Sequence, residues 1–120
     1  MTRAELGQRA EDLAATSLQA RGATLIARNF RRRSGELDLV AREGAVLVIV
    51  EVRLRSSERF GGAAASIDHR KQSRIIRTAS QLLQARRDLA ALQVRFDGAV
   101  VYPQSAGPWR LEWIHHAFSA

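Results

Sequence analysis

Apolar and small residues recur at helical spacing from the start of the chain. Leu6, Ala10, Leu13, Ala14, Ser17 and Leu18 share one side of a helix expected over Glu5 to Arg21, and Gly22 supplies its stop. The period then changes. Thr24 to Arg28 reads as a short strand, Asn29 to Ser34 as a basic loop, and Gly35 to Arg42 as a second strand of alternating character. After a Glu43-Gly44 turn, Ala45 to Leu54 is nearly continuous Val, Ile and Leu, the composition of a central strand covered on both faces. Arg55 to Ala65 is polar and Gly-rich and reads as a loop, after which Ser66 or Asp68 can cap a helix running to about Arg86. Strand character returns at Val94 and Phe96 through Tyr102, a turn covers Gln104 to Pro108, and Trp109-Arg110-Leu111-Glu112-Trp113 alternates as a final strand. The order α-β-β-β-α-β-β predicts one α/β domain over residues 1–120, a mixed sheet flanked by helices.

Composition narrows the function. A chain of 120 residues buries roughly two-thirds of the surface its unfolded form exposes, enough for a core without staples. It has no Cys, which excludes disulfide frameworks, thiolate metal sites and cysteine nucleophiles and points to a reducing compartment. The longest apolar run, Ala45 to Val50, is far short of the roughly 18 residues a bilayer span needs. Met1-Thr2-Arg3-Ala4-Glu5 has no signal-peptide hydrophobic region, so a cytoplasmic protein without a membrane partner is expected. The 19 Lys and Arg against 12 Asp and Glu give a net charge of +7, and Lys71 is the only lysine. Guanidinium forks suit phosphate oxygens, so DNA or RNA leads the expected partners, beside the plainer reading of a merely basic protein.

Charge enters the central strand only where its apolar run ends. Val46, Val48, Val50 and Val52 point one way and Leu47, Ile49, Glu51 and Arg53 the other. A hairpin closed by Glu43-Gly44 puts Arg42 opposite Ala45 and Asp38 opposite Ile49, with Glu51 diagonal to Asp38 on the same face. Two converging carboxylates suit a hard divalent ion such as Mg or Mn. The competing reading is an ion pair of Asp38 or Glu51 with Arg53 or Arg55.

The helices add candidates. Glu11 lies on the border of the first helix's apolar stripe, whereas Asp12 points to solvent. In the second helix Ile75, Ile76, Ala79, Leu82 and Leu83 face inward, Lys71 sits at the stripe's edge, and Gln72 lies within it and needs a partner. Arg70, Arg74 and Arg77 line the opposite face, either as a solvated surface or, with Arg31, Arg32, Arg33 and Arg55, as a phosphate-tracking one. His69 is isolated, and the adjacent His115 and His116 point to opposite faces of a strand, which argues against joint metal ligation. Trp109, Leu111 and Trp113 share one face and read as core. Gly61-Gly62 is followed by no lysine and forms no phosphate loop.

Ala10-Glu11-Asp12-Leu13-Ala14, Arg28-Asn29-Phe30, Gly35-Glu36-Leu37-Asp38-Leu39-Val40-Ala41, Val50-Glu51-Val52-Arg53-Leu54-Arg55, Lys71-Gln72 and Arg95-Phe96-Asp97 together resemble the YraN-type family of small bacterial proteins. That family is similar to archaeal Holliday-junction resolvases and belongs with the PD-(D/E)xK nucleases. The resemblance covers nearly the whole chain and implies a restriction-endonuclease-like fold. It implies that Asp38 and Glu51 are metal-binding carboxylates, Glu11 a supporting acid and the Val52 backbone carbonyl a further ligand. The activity implied is Mg- or Mn-dependent phosphodiester hydrolysis on structured or branched DNA, and because related resolvases commonly act as dimers, a homodimer is compatible with the resemblance. Arg53 departs from the signature, which has Lys there. An arginine stays protonated and keeps only the electrostatic part of that role, which weakens the expectation of catalysis. Lys71 is placed to substitute from the neighbouring helix. A non-catalytic nucleic-acid-binding module and a basic protein-interaction domain are the alternatives.

Overall fold

In the computed structural model, residues 1–55 and 67–120 are described. Helix α1 (Arg3–Ala20) starts earlier than the apolar stripe implies because Thr2 and Glu5 cap it reciprocally, Glu5 N–H donating to Thr2 Oγ1 at 3.1 Å and Thr2 N–H to Glu5 Oε1 at 2.9 Å. Strands β1 (Thr24–Arg32), β2 (Gly35–Glu43) and β3 (Val46–Leu54) follow as an antiparallel meander. Helix α2 (His69–Ala85) takes Asp68 as its cap, Asp68 Oδ1 accepting from the Lys71 amide at 2.8 Å. Ser66, Gly61-Gly62 and the rest of 56–66, most of the expected loop, lie outside the described residues. A 3-10 turn (Arg87–Leu89), β4 (Gln93–Tyr102) and β5 (Arg110–Phe118) complete the chain.

The sheet order is β1-β2-β3-β4-β5, with β3 and β4 parallel and every other pair antiparallel. This is the expected mixed sheet and element order. Helices cover both faces of it. Ala14, Ala15 and Leu18 of α1 pack with Leu39, Ala41, Val48, Val50 and Ala99, while Ile75, Ala79 and Leu82 of α2 pack with Val40, Leu47, Ile49 and Phe96. Each fully buried aliphatic side chain contributes roughly 1.5–3 kcal/mol, so the middle of β3, buried on both sides, anchors the domain. Among the described residues no helix is long and apolar enough to cross a membrane.

Three local expectations are corrected. The β2–β3 pairing matches Val40 with Ile49, Arg42 with Leu47 and Glu43 with Val46, so Arg42 does not face Ala45. The loop is Gly44-Ala45, because Gly44 takes the left-handed φ of 63° that its position demands. Moving the loop by one residue shifts the register by two, which keeps the expected facing along the paired stretch from Leu39 to Glu43, whereas Leu37 packs with Val40 on the α2 side and breaks the expected alternation with Leu39. The basic segment from Asn29 is largely strand, β1 continuing to Arg32 through a left-handed Asn29 (φ 51°). β5 carries His115 and His116 as expected, but not as a regular strand, since it passes through an irregularity at which His116 (φ 55°) donates its amide to Asp97 Oδ1 at 3.0 Å. Trp109, Leu111 and Trp113 pack on the α1 side as core, Arg9 lying over the Trp109 ring at 4.0 Å and Arg21 over Trp113 at 4.5 Å.

Candidate functional site

The β2–β3 ladder ends at the Leu39–Val50 pair, and just past it Asp38 and Glu51 meet in one cavity with Lys71 of α2. The Val52 amide donates to Asp38 Oδ2 at 2.8 Å, tying the acid of one strand to the backbone of the other. The Glu51 side chain is nearly buried, and Lys71 Nζ lies 2.7 Å from its Oε1. The position of Lys71 follows from local sequence. The Asp68 cap fixes the first turn of α2, and Lys71 stands one turn ahead of the core residue Ile75 on the same side of the helix.

These residues line a cavity of about 200 Å³ bounded by Gly35, Glu36, Asp38, Glu51, Lys71, Arg74 and Ile75. Burial, then the charge of Glu51, pushes the Asp38 carboxyl up to about 8, against the partial relief of the Val52 hydrogen bond. Glu11 and Glu36 add to the same repulsion. A carboxyl held this far from its ordinary range gains from any cation that neutralises the pair. Asp38 and Glu51 offer carboxylate oxygens, with Glu36 on the same wall, and such hard donors fit a Mg or Mn ion that keeps much of its water shell.

The other candidates divide. Arg74 reaches the cavity wall, and Arg70 and Arg77 are exposed along the same helix. Arg31 is exposed and pairs with Glu36 at 3.3 Å, Arg32 lies over the Phe30 ring at 4.2 Å, and Arg33 is exposed between β1 and β2. Arg53 shares the face of Glu51, and burial, then repulsion from Arg55, lowers its pKa from the usual arginine value. Arg55 lines a different groove with Arg3, Leu6, Leu54 and Pro103. Gln72 donates its side-chain amide to the Ile67 carbonyl at 2.7 Å, satisfying the polar group on the inward stripe. Val52 contributes its amide to the site, to Asp38.

Glu11 is mostly buried but is held on the α1 side, its Oε2 accepting from Asn29 Nδ2 at 3.1 Å and its Oε1 lying 3.5 Å from Arg28. The expected sharing of one ion by Glu11, Asp38 and Glu51 does not take the form of a three-acid cluster. Among the described residues no three Asp, Glu or His side chains converge closely enough to hold one ion. Glu36, on the cavity wall, was not among the expected site residues, although its strand parity with Asp38 makes it visible in the sequence. Asn29, which bridges Glu11 and Glu36, gives no such signal.

A small α/β domain with a cavity lined by Glu36, Asp38, Glu51 and Lys71 beside a basic helix is the class that fold and site define. The sequence matches the profile described as "Uncharacterised protein family UPF0102" over residues 10–101. It is 49% identical over 114 residues to a UPF0102 protein of Methylococcus capsulatus, covering 95% of this chain and 90% of that one. A UPF0102 protein of Nitrosomonas europaea is 46% identical over 112 residues, with 93% and 92% covered. One of Frankia casuarinae is 47% identical over 113 residues, with 94% and 95% covered. The chain belongs to the UPF0102, or YraN-type, family.

Proposed function

We propose that this protein binds nucleic acid and hydrolyses phosphodiesters in structured or branched DNA, with Mg or Mn held by Asp38 and Glu51. The observation that carries the reading is Lys71 Nζ at 2.7 Å from Glu51 Oε1, in one cavity with Asp38. It supplies from α2 the lysine that the β3 sequence lacks at Arg53. A divalent ion at the two carboxylates supplies Lewis acidity toward a phosphodiester and lowers the pKa of water. Asp38 must be ionised to take part, and the Val52 amide keeps its carboxylate aimed across the strand pair. Lys71, once it leaves Glu51, offers an ammonium to the charge that builds on the phosphate, and Arg74 at the rim offers a fork to a phosphate oxygen. Arg53 stays charged and contributes only field. The reading carries with it a cytoplasmic location and accommodates a homodimer.

The test is a paired binding and cleavage assay with labelled duplex and four-way-junction DNA, with Mg or Mn, on the natural protein, Asp38→Asn and Lys71→Met. Metal-dependent cleavage lost in both variants is expected. Salt-sensitive binding with no cleavage reduces the protein to a nucleic-acid-binding module. Absence of binding at low salt overturns the proposal in favour of a protein partner.

A further inference from the structure

Adjacent residues of a regular strand face opposite sides of the sheet, yet Arg28 and Asn29 both reach Glu11. The alternation breaks at Asn29, a non-glycine residue with φ 51° inside β1, a conformation that asparagine tolerates better than most residues. The flanking pairs, Arg28 with Leu39 and Phe30 with Leu37, set Asn29 opposite Asp38. Its amide nitrogen donates to Glu11 Oε2 at 3.1 Å and to Glu36 Oε1 at 3.0 Å. An amide nitrogen carries two hydrogens, so each carboxylate receives one. Glu36 lines the Asp38–Glu51 cavity, and the charges of both Glu11 and Glu36 are felt at Asp38.

Two carboxylates brought together in this way repel each other unless a donor stands between them, and left-handed backbone within a strand persists where the surroundings hold it. We propose that Asn29 is a positioning residue that clamps Glu11 to Glu36 beside Asp38, so that cation affinity at Asp38 and Glu51 depends on an amide that touches no cation. This rests on the metal-holding reading above. Outer partners of this kind set metal affinity through charge and orientation.

The experiment is a Mn²⁺ titration by calorimetry and electron paramagnetic resonance on the full chain, without DNA. It compares the natural protein with Asp38→Asn, Asn29→Gly, Glu36→Gln and the Asn29→Gly/Glu36→Gln double variant, each with its thermal melt. Glycine keeps the left-handed backbone and removes only the amide. The expected result is loss of binding in Asp38→Asn and affinity about tenfold weaker in Asn29→Gly at an unchanged melting temperature. The double variant is expected to be no weaker than the weaker single, since Asn29 acts through Glu36. Unchanged affinity in Asn29→Gly, or additive losses in the double variant, overturns the inference and leaves the hydrolase reading standing. If Asn29→Gly melts lower, Glu36→Gln and the double variant decide by the same additivity criterion. Failure of the natural protein to bind Mn²⁺ overturns both.

Discussion

Lys71 Nζ lies 2.7 Å from Glu51 Oε1, joining the first turn of α2 to the end of the buried part of β3. The two partners are unequally wet, with the glutamate side chain 7% exposed and the lysine 44%. Removing the lysine strands a nearly buried carboxylate, a loss of 3–5 kcal/mol for fully buried pairs, but water at the lysine end reduces this to about 1–2 kcal/mol. Lys71→Met is therefore expected to lower unfolding free energy by that amount in urea without divalent ions. Glu51→Gln added to it should recover part of the loss. Equal stability of Lys71→Met and the natural protein in urea means the pair is incidental.

Asp38 predicts an unusual pH dependence. Its carboxyl is raised from an ordinary 3.8 to about 8, by burial first and by Glu51 second. A folded state that holds its proton more tightly than the unfolded chain loses stability as pH rises between those values, and the loss levels off above the upper one. In the presence of a chelator, Asp38→Asn is expected to stabilise the protein at pH 8 by at least about 1 kcal/mol, roughly 4 °C in a melt, and to change little at pH 4. A variant that melts with the natural protein at both pH values shows that Asp38 is not strained by its surroundings.

What the sequence disclosed of this site follows from alternation. Asp38 and Glu51 were expected together because strand side chains have a period of two, which survives an error of two in register, although the alternation itself breaks at Leu37, which packs with Val40 on the α2 side. The wrong loop position therefore misplaced Asp38 opposite Ile49 without moving it to the other face. Lys71 was legible as the edge of a helical stripe. Asn29 was not, because a basic Arg-rich stretch reads as loop and nothing local signals a left-handed residue within a strand. The irregularity of β5 at His116 was hidden for a related reason. Its polar His115-His116 pair is held by Asp97, 19 residues before His116, a contact that no local pattern encodes.

Asp97 predicts acid sensitivity of the opposite sign to Asp38. Burial pushes its pKa up, but donors from Arg95, the His116 amide and Trp113 outweigh it and leave the pKa below the usual value. Arg95 donates through Nε at 2.9 Å and Nη2 at 3.0 Å, and Trp113 Nε1 donates at 3.0 Å. A depressed carboxyl contributes stability above its unfolded pKa of about 4 and loses it as pH falls through the folded value. Asp97→Ala removes the nearer carboxylate from Arg95, leaving it Glu43 at 3.4 Å, and strips the acceptor from Trp113 and the His116 amide, and is expected to cost about 2–3 kcal/mol at neutral pH. Asp97→Asn should flatten the loss of stability below pH 4. An acid limb unchanged in Asp97→Asn assigns that limb to other carboxylates.

The arginines differ in what they already hold. Arg28, Arg86 and Arg95 have carboxylates at 2.8, 2.9 and 2.9 Å. Arg33, Arg70, Arg74 and Arg77 form no ion pair among the described residues and are exposed. Arg33 on the β1–β2 turn and the three arginines of α2 are brought together by the latch of Ser34 Oγ on Thr78 Oγ1 and Gln81 Oε1, both 2.8 Å, which seats that turn on the helix. A phosphate backbone that crosses the cavity should therefore meet the turn and the helix as one basic surface. Each phosphate contact removed flattens the dependence of log affinity on log salt by about 0.9 on duplex DNA. Arg74→Ala and Arg77→Ala are each expected to lower the slope by about that amount, whereas Arg86→Ala, whose guanidinium is held by Asp88, should leave it unchanged. Titrations of duplex DNA at several salt concentrations separate the two cases. Equal slopes for all three variants remove the turn and α2 from the path of the nucleic acid.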